Sequence, residues 1–322
     1  MPLKDAKAAS SPSPTQSISL VIEEIEKVFA GKRQIVELTV AALIAQGHVL
    51  LEDVPGMGKT TLAKTLARAL DLKFNRIQFT SDMLPSDVLG THVFNPGQGE
   101  FLFRKGPVFC NILLADELNR TSPRTQSALL EAMNERQVTL ETNTTPLPAP
   151  FFVIATQNPK ELYGTYPLPE SQLDRFLFSL TVGYPDAQTE RKIIAGMNDE
   201  MRLPMVTAVL DEEEILALQA EVTRVHCEDP LVDYIYQIIS ATREAPQFEL
   251  GASPRAGIQL LKGARAIALV RGRNYVTPED IRFVAPYALA HRLAIKDAAQ
   301  LGSTRSHVWS HVEELLDSIQ AP

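Results

Sequence analysis

The sequence is poor in cysteine. Its 322 residues hold two, Cys110 and Cys227, far apart in the chain. Two distant thiols exclude the dense disulfide framework of a small secreted domain, and a reducing compartment fits them better. Cys110 sits in an apolar stretch and reads as a buried small hydrophobe. No apolar run is long enough to span a bilayer. The N-terminus carries lysines without an apolar core, so no secretory signal is visible and a cytoplasmic location is expected. Positive charge is in short supply: 31 Lys and Arg stand against 39 Asp and Glu, a formal net charge of -8. That balance speaks against nonspecific binding to nucleic acid or an anionic membrane. The histidines make no metal site. His307 and His311 are one helical turn apart with no third ligand near them in sequence, and His226 stands beside Cys227 alone. No nucleophile–His–acid arrangement and no internal repeat is evident.

What is present is ordinary in bulk and specific in detail. A hydrophobic fraction of 45% and a charged fraction of 22% are those of a globular protein, and the length suits about two domains. The apolar run His48 to Leu51 reads as a buried strand. Asp53-Val54-Pro55-Gly56-Met57-Gly58-Lys59-Thr60 comes next, then an amphipathic helix over Thr61 to Leu70. A strand, a glycine-bearing turn and a helix opening on Gly-Lys-Thr describe a phosphate-binding loop. Free backbone N–H groups and the positive end of the helix dipole converge where a polyphosphate can sit. Gly56 and Gly58 let the backbone approach without a Cβ. Lys59 reaches the β- and γ-phosphates, and the Thr60 hydroxyl binds Mg²⁺. Asp53 stands where such loops usually have a first glycine; aspartate tolerates left-handed geometry, and its charge must turn away from the nucleotide.

Further signals come from the flanking chain. Met1 to Gln16 is rich in Ala, Ser and Pro and reads as a disordered lead. Helices are expected from Ser17 and over Arg33 to Ala45. Strands are expected at Phe74–Phe79, Asn111–Ala115, Phe151–Thr156 and Phe176–Val182; the last two lack alternation and read as buried on both faces of a parallel sheet. Hairpins are expected around Asn95-Pro96-Gly97-Gln98-Gly99 and around Asn143-Thr144. Ser122-Pro123 opens a helix running to Arg136. Gly183 to Asp186 marks a domain boundary. Beyond it the pattern is helical, with Asp229-Pro230, Ser253-Pro254 and Thr277-Pro278 as N-caps. The last helix carries Val308, Val312, Leu315, Leu316 and Ile319 on one face.

Four further places carry chemistry. Ile112 to Ala115 runs into Asp116-Glu117; after a phosphate loop, the first acid holds the Mg²⁺ shell and the second orients and polarises the attacking water. Asn158 stands at the tip of the fourth strand, where an amide holds the water or a γ-phosphate oxygen or else merely supplies a turn before Pro159. Arg175 lies at the edge of the fifth strand; it either reaches a neighbouring subunit's γ-phosphate or pairs with Asp174. Arg255 falls in the first turn of a helix, where a cation opposes the macrodipole and a nearby phosphate would reverse that cost. Arg124 has the same placement, and its role stays open.

Together these residues resemble the AAA+ ATPases, most closely their MoxR family. Gly47 to Thr60 is similar to that family's Walker A region, where Asp at the first glycine position is admitted. Ala115 to Thr121 resembles Walker B and the residues just after it. Asn158 matches sensor 1, Arg175 the arginine finger and Gly251 to Ala256 sensor 2; Gly272 to Asp280 looks like the family's lid. The resemblance implies an α/β AAA+ P-loop core over 17–184, with a five-stranded parallel sheet between helices, and a C-terminal all-α lid over 185–322. It assigns ATP to Pro55, Gly56, Met57, Gly58, Lys59, Thr60 and Thr61, and Mg²⁺ to Thr60 and Asp116. Catalysis falls to Lys59, Asp116, Glu117, Asn158, Arg175 and Arg255, with Arg255 acting on its own nucleotide or a neighbour's. It also implies rings, commonly hexamers, chaperone-like work on a protein client, and a von Willebrand factor A domain protein as partner. The first hairpin becomes an insertion in the second core helix. Two other classes compete: a nucleic-acid motor, which the net charge and the lack of a basic, aromatic-lined stretch argue against, and a nucleotide-gated scaffold, which the intact acid pair argues against.

Overall fold

Unbroken burial in four strands sets the frame. In β1 (Val49–Glu52), β5 (Ile112–Asp116), β8 (Phe152–Gln157) and β9 (Phe178–Leu180), successive apolar side chains go to opposite faces, and both faces are covered. Leu51, Leu114, Ile154 and Leu180 pack into one cluster; Leu50, Leu113, Ala115 and Val153 pack into the other. Such strands need helices on both sides. The computed structural model describes residues 14–140, 143–158, 164–195, 202–296 and 305–322.

The sheet has five parallel strands in the order β2-β5-β8-β1-β9, with β2 covering Phe74–Gln78. Helices α1 (Pro14–Glu26), α2 (Arg33–Ile44) and α3 (Lys59–Ala69) cover the first face. Helix α5 (Pro123–Glu135) packs on the second through Leu129, Leu130 and Met133. The Ser122 hydroxyl accepts the Thr125 N–H, the cap expected of Ser-Pro. Short helices α4 (Pro85–Leu89), α6 (Glu170–Leu173) and α7 (Ala187–Ile194) link these elements. Two hairpins stand off the sheet: β3 (Gly90–Asn95) with β4 (Glu100–Lys105), directly after α4, and β6 (Gln137–Leu140) with β7 (Asn143–Pro146).

The C-terminal region holds helices α8 (Glu212–Arg224), α9 (Asp229–Glu244), α10 (Pro254–Val270), α11 (Pro278–Leu289) and α12 (Arg305–Ser318). Their apolar faces join the same cluster as α1 to α3, so this region and one face of the sheet share a core. Val312, Leu315 and Leu316 of α12 are buried there. Asp280 is fully buried and receives Arg271, Arg273 and the Thr277 N–H. Burial opposes its ionisation, but the Arg273 bonds prevail and hold its pKa below the usual carboxylate range.

Several boundaries differ from expectation. The first helix begins at Pro14, so Pro14 to Gln16 belong to it; the rest of the expected disordered lead lies outside the described residues. Asn143 pairs with Leu140, which puts Asn143 and Thr144 in a strand instead of the turn. The N-cap of α9 is Glu228, with Asp229 already helical. The fifth strand is shorter than the run Phe176–Val182: at its start the Phe176 carbonyl is taken by His291 and Arg292, and past its end the Val182 N–H goes to Asp53. Within the helical region, Phe248–Leu250 (β10) and Ala294–Ile295 (β11) form a small antiparallel pair.

Candidate active site

The expected phosphate loop, Asp53 to Thr60, leaves the C-terminal end of β1 and turns into α3. Gly56 (φ 86°) and Gly58 (φ 79°) take the left-handed backbone that the turn requires. Asp53 does not need that conformation. Its buried carboxylate turns to the end of β9 and accepts the Val182 and Gly183 N–H groups. Two backbone donors thus hold the residue that stands where a first glycine was expected, and they tie the loop to the neighbouring strand. Lys59 Nζ donates to the Asp53 carbonyl at 2.7 Å. Burial lowers its pKa, and Asp53, Asp116 and Glu117 pull the other way.

A pocket of about 390 Å³ gathers the loop from Pro55 to Thr61 with Asp116, Glu117 and Asn158. Asp116 ends β5. Its Oδ1 accepts the Thr156 hydroxyl at 2.6 Å, and the same Thr156 oxygen accepts the Glu117 N–H at 2.9 Å. Strand β8 therefore fixes both acids. Glu117 is left-handed (φ 56°, ψ 48°), an unfavourable conformation for a residue with a side chain. Strain at a carboxylate beside a phosphate loop is what an active site would hold. Glu117 Oε2 accepts Gln78 Nε2 at 2.7 Å and pairs with Arg120 at 3.1 Å.

The donor set suits a hard cation. Thr60 and Asp116 offer oxygens, and no group of three or more His, Cys, Asp or Glu among the described residues forms a cage. Mg²⁺ is commonly held that way, by one or two protein oxygens with substrate phosphates and water supplying the rest.

Two lining residues were missed: Arg76 and Gln78 of β2. Arg76 Nη2 and Nε lie 2.7 and 3.2 Å from Asp116 Oδ2. The available signal was a core strand, Phe-Asn-Arg-Ile-Gln, with polar side chains two apart. Only the pairing of Gln78 with Asp116 brings them to the site.

Arg175 and Arg255 are not in this pocket. Arg175 precedes β9, which runs parallel to β1, so it stands at the end of the sheet opposite the phosphate loop. Its Nη1 donates to the Leu130 carbonyl at 2.9 Å, and its buried Nε has no acceptor among the described residues. Arg255 lies beside it, 3.8 Å from Asp174 and 3.3 Å from Asn134. Asp174 also pairs with the buried Arg292 at 2.8 Å. Arg124 lines a different cavity, between the two hairpins.

Comparison with known proteins agrees with this geometry. Residues 48–178 match the family described as ATPase family associated with various cellular activities (AAA), and residues 240–309 match the AAA lid domain. The uncharacterised protein YeaC of Bacillus subtilis is 47% identical over 94% of this chain and 93% of its own. Chaperone MoxR1 of Mycobacterium tuberculosis is 44% identical over 87% of this chain and 76% of its own. A crystal structure from Cytophaga hutchinsonii, provisionally described as an ATPase, superposes with a TM-score of 0.86 at 39% identity, covering 96% of both chains. A five-stranded parallel sheet with a phosphate loop, a helical C-terminal region and these relatives make the chain a member of the MoxR family of AAA+ ATPases.

Proposed function

We propose that the chain is a Mg²⁺-dependent ATPase that works as a ring, and that hydrolysis drives chaperone-like remodelling of a protein partner. The division into a nucleotide-binding core over 17–184 and a lid over 185–322 belongs to this reading. One observation carries it: Lys59, Asp116 and the strained Glu117 converge on the phosphate loop, while Arg175 and Arg255 stand together at the opposite end of the sheet.

In this reading the loop amides and Lys59 hold the β- and γ-phosphates. Thr60 and Asp116 hold the metal, which when bound neutralises charge on the phosphates. Glu117 polarises the water, and Asn158 orients it against the γ-phosphate. Arg175 and Arg255 are too distant to serve their own subunit's nucleotide, and they complete a neighbour's site. Sequential placement of such sites around a closed ring, hexameric by family resemblance, satisfies every subunit.

The hairpin of β3 and β4 exposes Phe94 and Phe101, at 51% and 69%, beside Val93 and Leu102. Apolar side chains on a projecting ribbon support contact with a protein client. A von Willebrand factor A domain partner is part of the proposal by resemblance alone. A cytoplasmic setting fits two reduced cysteines and the absence, among the described residues, of any helix long and apolar enough to cross a membrane.

The deciding experiment is phosphate release measured against protein concentration, with mass determined in parallel. Turnover per subunit is expected to rise as rings form. A rate independent of concentration across a range where mass changes, or no release with Mg²⁺ and ATP, would defeat the reading.

A further inference from the structure

Strand β2 lies at the edge of the sheet, beside β5. Its Arg76 pairs in register with Leu114, and Gln78 with Asp116. From there the Arg76 guanidinium crosses to Asp116 and places two nitrogens on Oδ2, at 2.7 and 3.2 Å. The other carboxylate oxygen already accepts the Thr156 hydroxyl. Both oxygens of the acid are therefore engaged by protein groups. Arg76 Nη2 also donates to Gln78 Oε1 at 2.8 Å, which leaves the Gln78 amide nitrogen to face Glu117. One guanidinium thus touches one acid of the pair and orients the group that touches the other.

We propose that Arg76 is the resident counter-ion of Asp116, and that a divalent cation must displace it when the site loads. The inference rests on the reading that Asp116 faces the metal. A guanidinium and a divalent cation both seek carboxylate oxygen, and two cations brought to the same Oδ2 repel each other. The Arg76 side chain is 46% exposed and that of Asp116 15%. The arginine side of the pair is open to water, which weakens its hold, so a metal ion can win the oxygen while still having to compete for it. Arg76 therefore raises the metal concentration at which the nucleotide site fills. It holds the acid in place before loading and is a positioning residue.

The test is calorimetric binding of ADP across a Mg²⁺ titration, a measurement that involves no turnover. It compares the full-length protein with Arg76→Gln and Arg76→Lys. Arg76→Gln is expected to reach half-saturation at roughly three- to fivefold lower Mg²⁺ than the wild type. Arg76→Lys keeps the charge but loses the two-nitrogen fork, and it is expected to fall between them. ADP affinity in EDTA is measured for each variant, so that the Mg²⁺ midpoint is read against that variant's own metal-free binding, and the unfolding midpoint without metal is expected to change little. The lysine variant carries the test alone if the glutamine variant does not fold. An unchanged Mg²⁺ midpoint, or one displaced upward, overturns the role of Arg76 and leaves the phosphate-loop reading intact. No ADP binding by the wild type at any Mg²⁺ concentration overturns both.

Discussion

Arg255 approaches Asp174, the residue immediately before Arg175, at 3.8 Å, and not the phosphate loop of its own chain. The two arginines reach this place from separate elements, one at the start of α10 and one ahead of β9. Asp174 ties Arg255 to the buried Arg292. The segment that presents Arg175 is thus clamped from the C-terminal region, with the Phe176 carbonyl also held by His291 and Arg292.

If these cations serve a neighbour, Arg175→Ala and Arg255→Ala each keep nucleotide affinity and lose turnover by roughly a hundredfold or more. Lys59→Ala is expected to lose its hold on the phosphates but still presents both arginines. Mixing it with Arg175→Ala is expected to give phosphate release well above the sum of the two alone, because some interfaces then combine an intact loop with intact arginines. Mixtures that stay at the sum would remove the neighbour from the mechanism.

Glu117 is held left-handed, so its chemistry and its strain can be separated. Glu117→Gln keeps the backbone and the nucleotide affinity and is expected to lower phosphate release by about 10²- to 10⁴-fold. Glu117→Gly is equally inactive but relieves the strain. It is expected to exceed Glu117→Ala in stability by about 1 kcal/mol. Urea unfolding of the two variants checks this, and a glycine variant less stable than the alanine one would contradict it.

The parts of the fold that local pattern controls were legible in the sequence. Ile112–Ala115 and Phe151–Thr156 announce strands by unbroken apolar character, and Ser122-Pro123 and Ser253-Pro254 announce helix starts by cap chemistry. What was not legible depends on partners distant in sequence. Arg76 reaches the site only through the pairing of β2 with β5. The late start of the strand in the Phe176–Val182 run goes with an arginine 116 residues from Phe176. Asp53 reads as a turn residue chosen for left-handed geometry; its value lies in two amides just past the end of β9.

Those two amides give Asp53 a testable weight. Asp53→Ala strips the acceptor from Val182 N and Gly183 N, where Val182 is buried. A cost of about 1–3 kcal/mol is expected, together with weaker nucleotide binding as the loop loosens. Asp53→Asn keeps one acceptor oxygen and is expected to lose less. Asp53→Gly restores the usual residue of such loops yet is expected to be no better than alanine. Denaturant midpoints of the three rank these outcomes, and a glycine variant as stable as the wild type would show that the carboxylate holds nothing.

His48 gives the fold its own pH dependence. It is buried immediately ahead of β1, with Nε2 donating to the Met133 carbonyl at 3.2 Å and Nδ1 accepting the Val153 N–H at 3.0 Å. A proton on Nδ1 would destroy the second bond. Burial, with a smaller contribution from Arg136, pushes the pKa down to about 4, while the Met133 bond opposes the shift. In the unfolded chain the imidazole titrates near the ordinary value of about 6.5. Between those two values the unfolded state binds the extra proton, so stability falls as pH drops from about 6.5 towards 4 and levels off below. The difference amounts to roughly 3 kcal/mol if nothing else titrates with it. His48→Leu cannot take the proton. Urea unfolding at several pH values across that window is expected to show the wild type losing stability relative to the variant as pH falls; parallel curves would mean that the folded histidine takes up its proton as readily as the unfolded one.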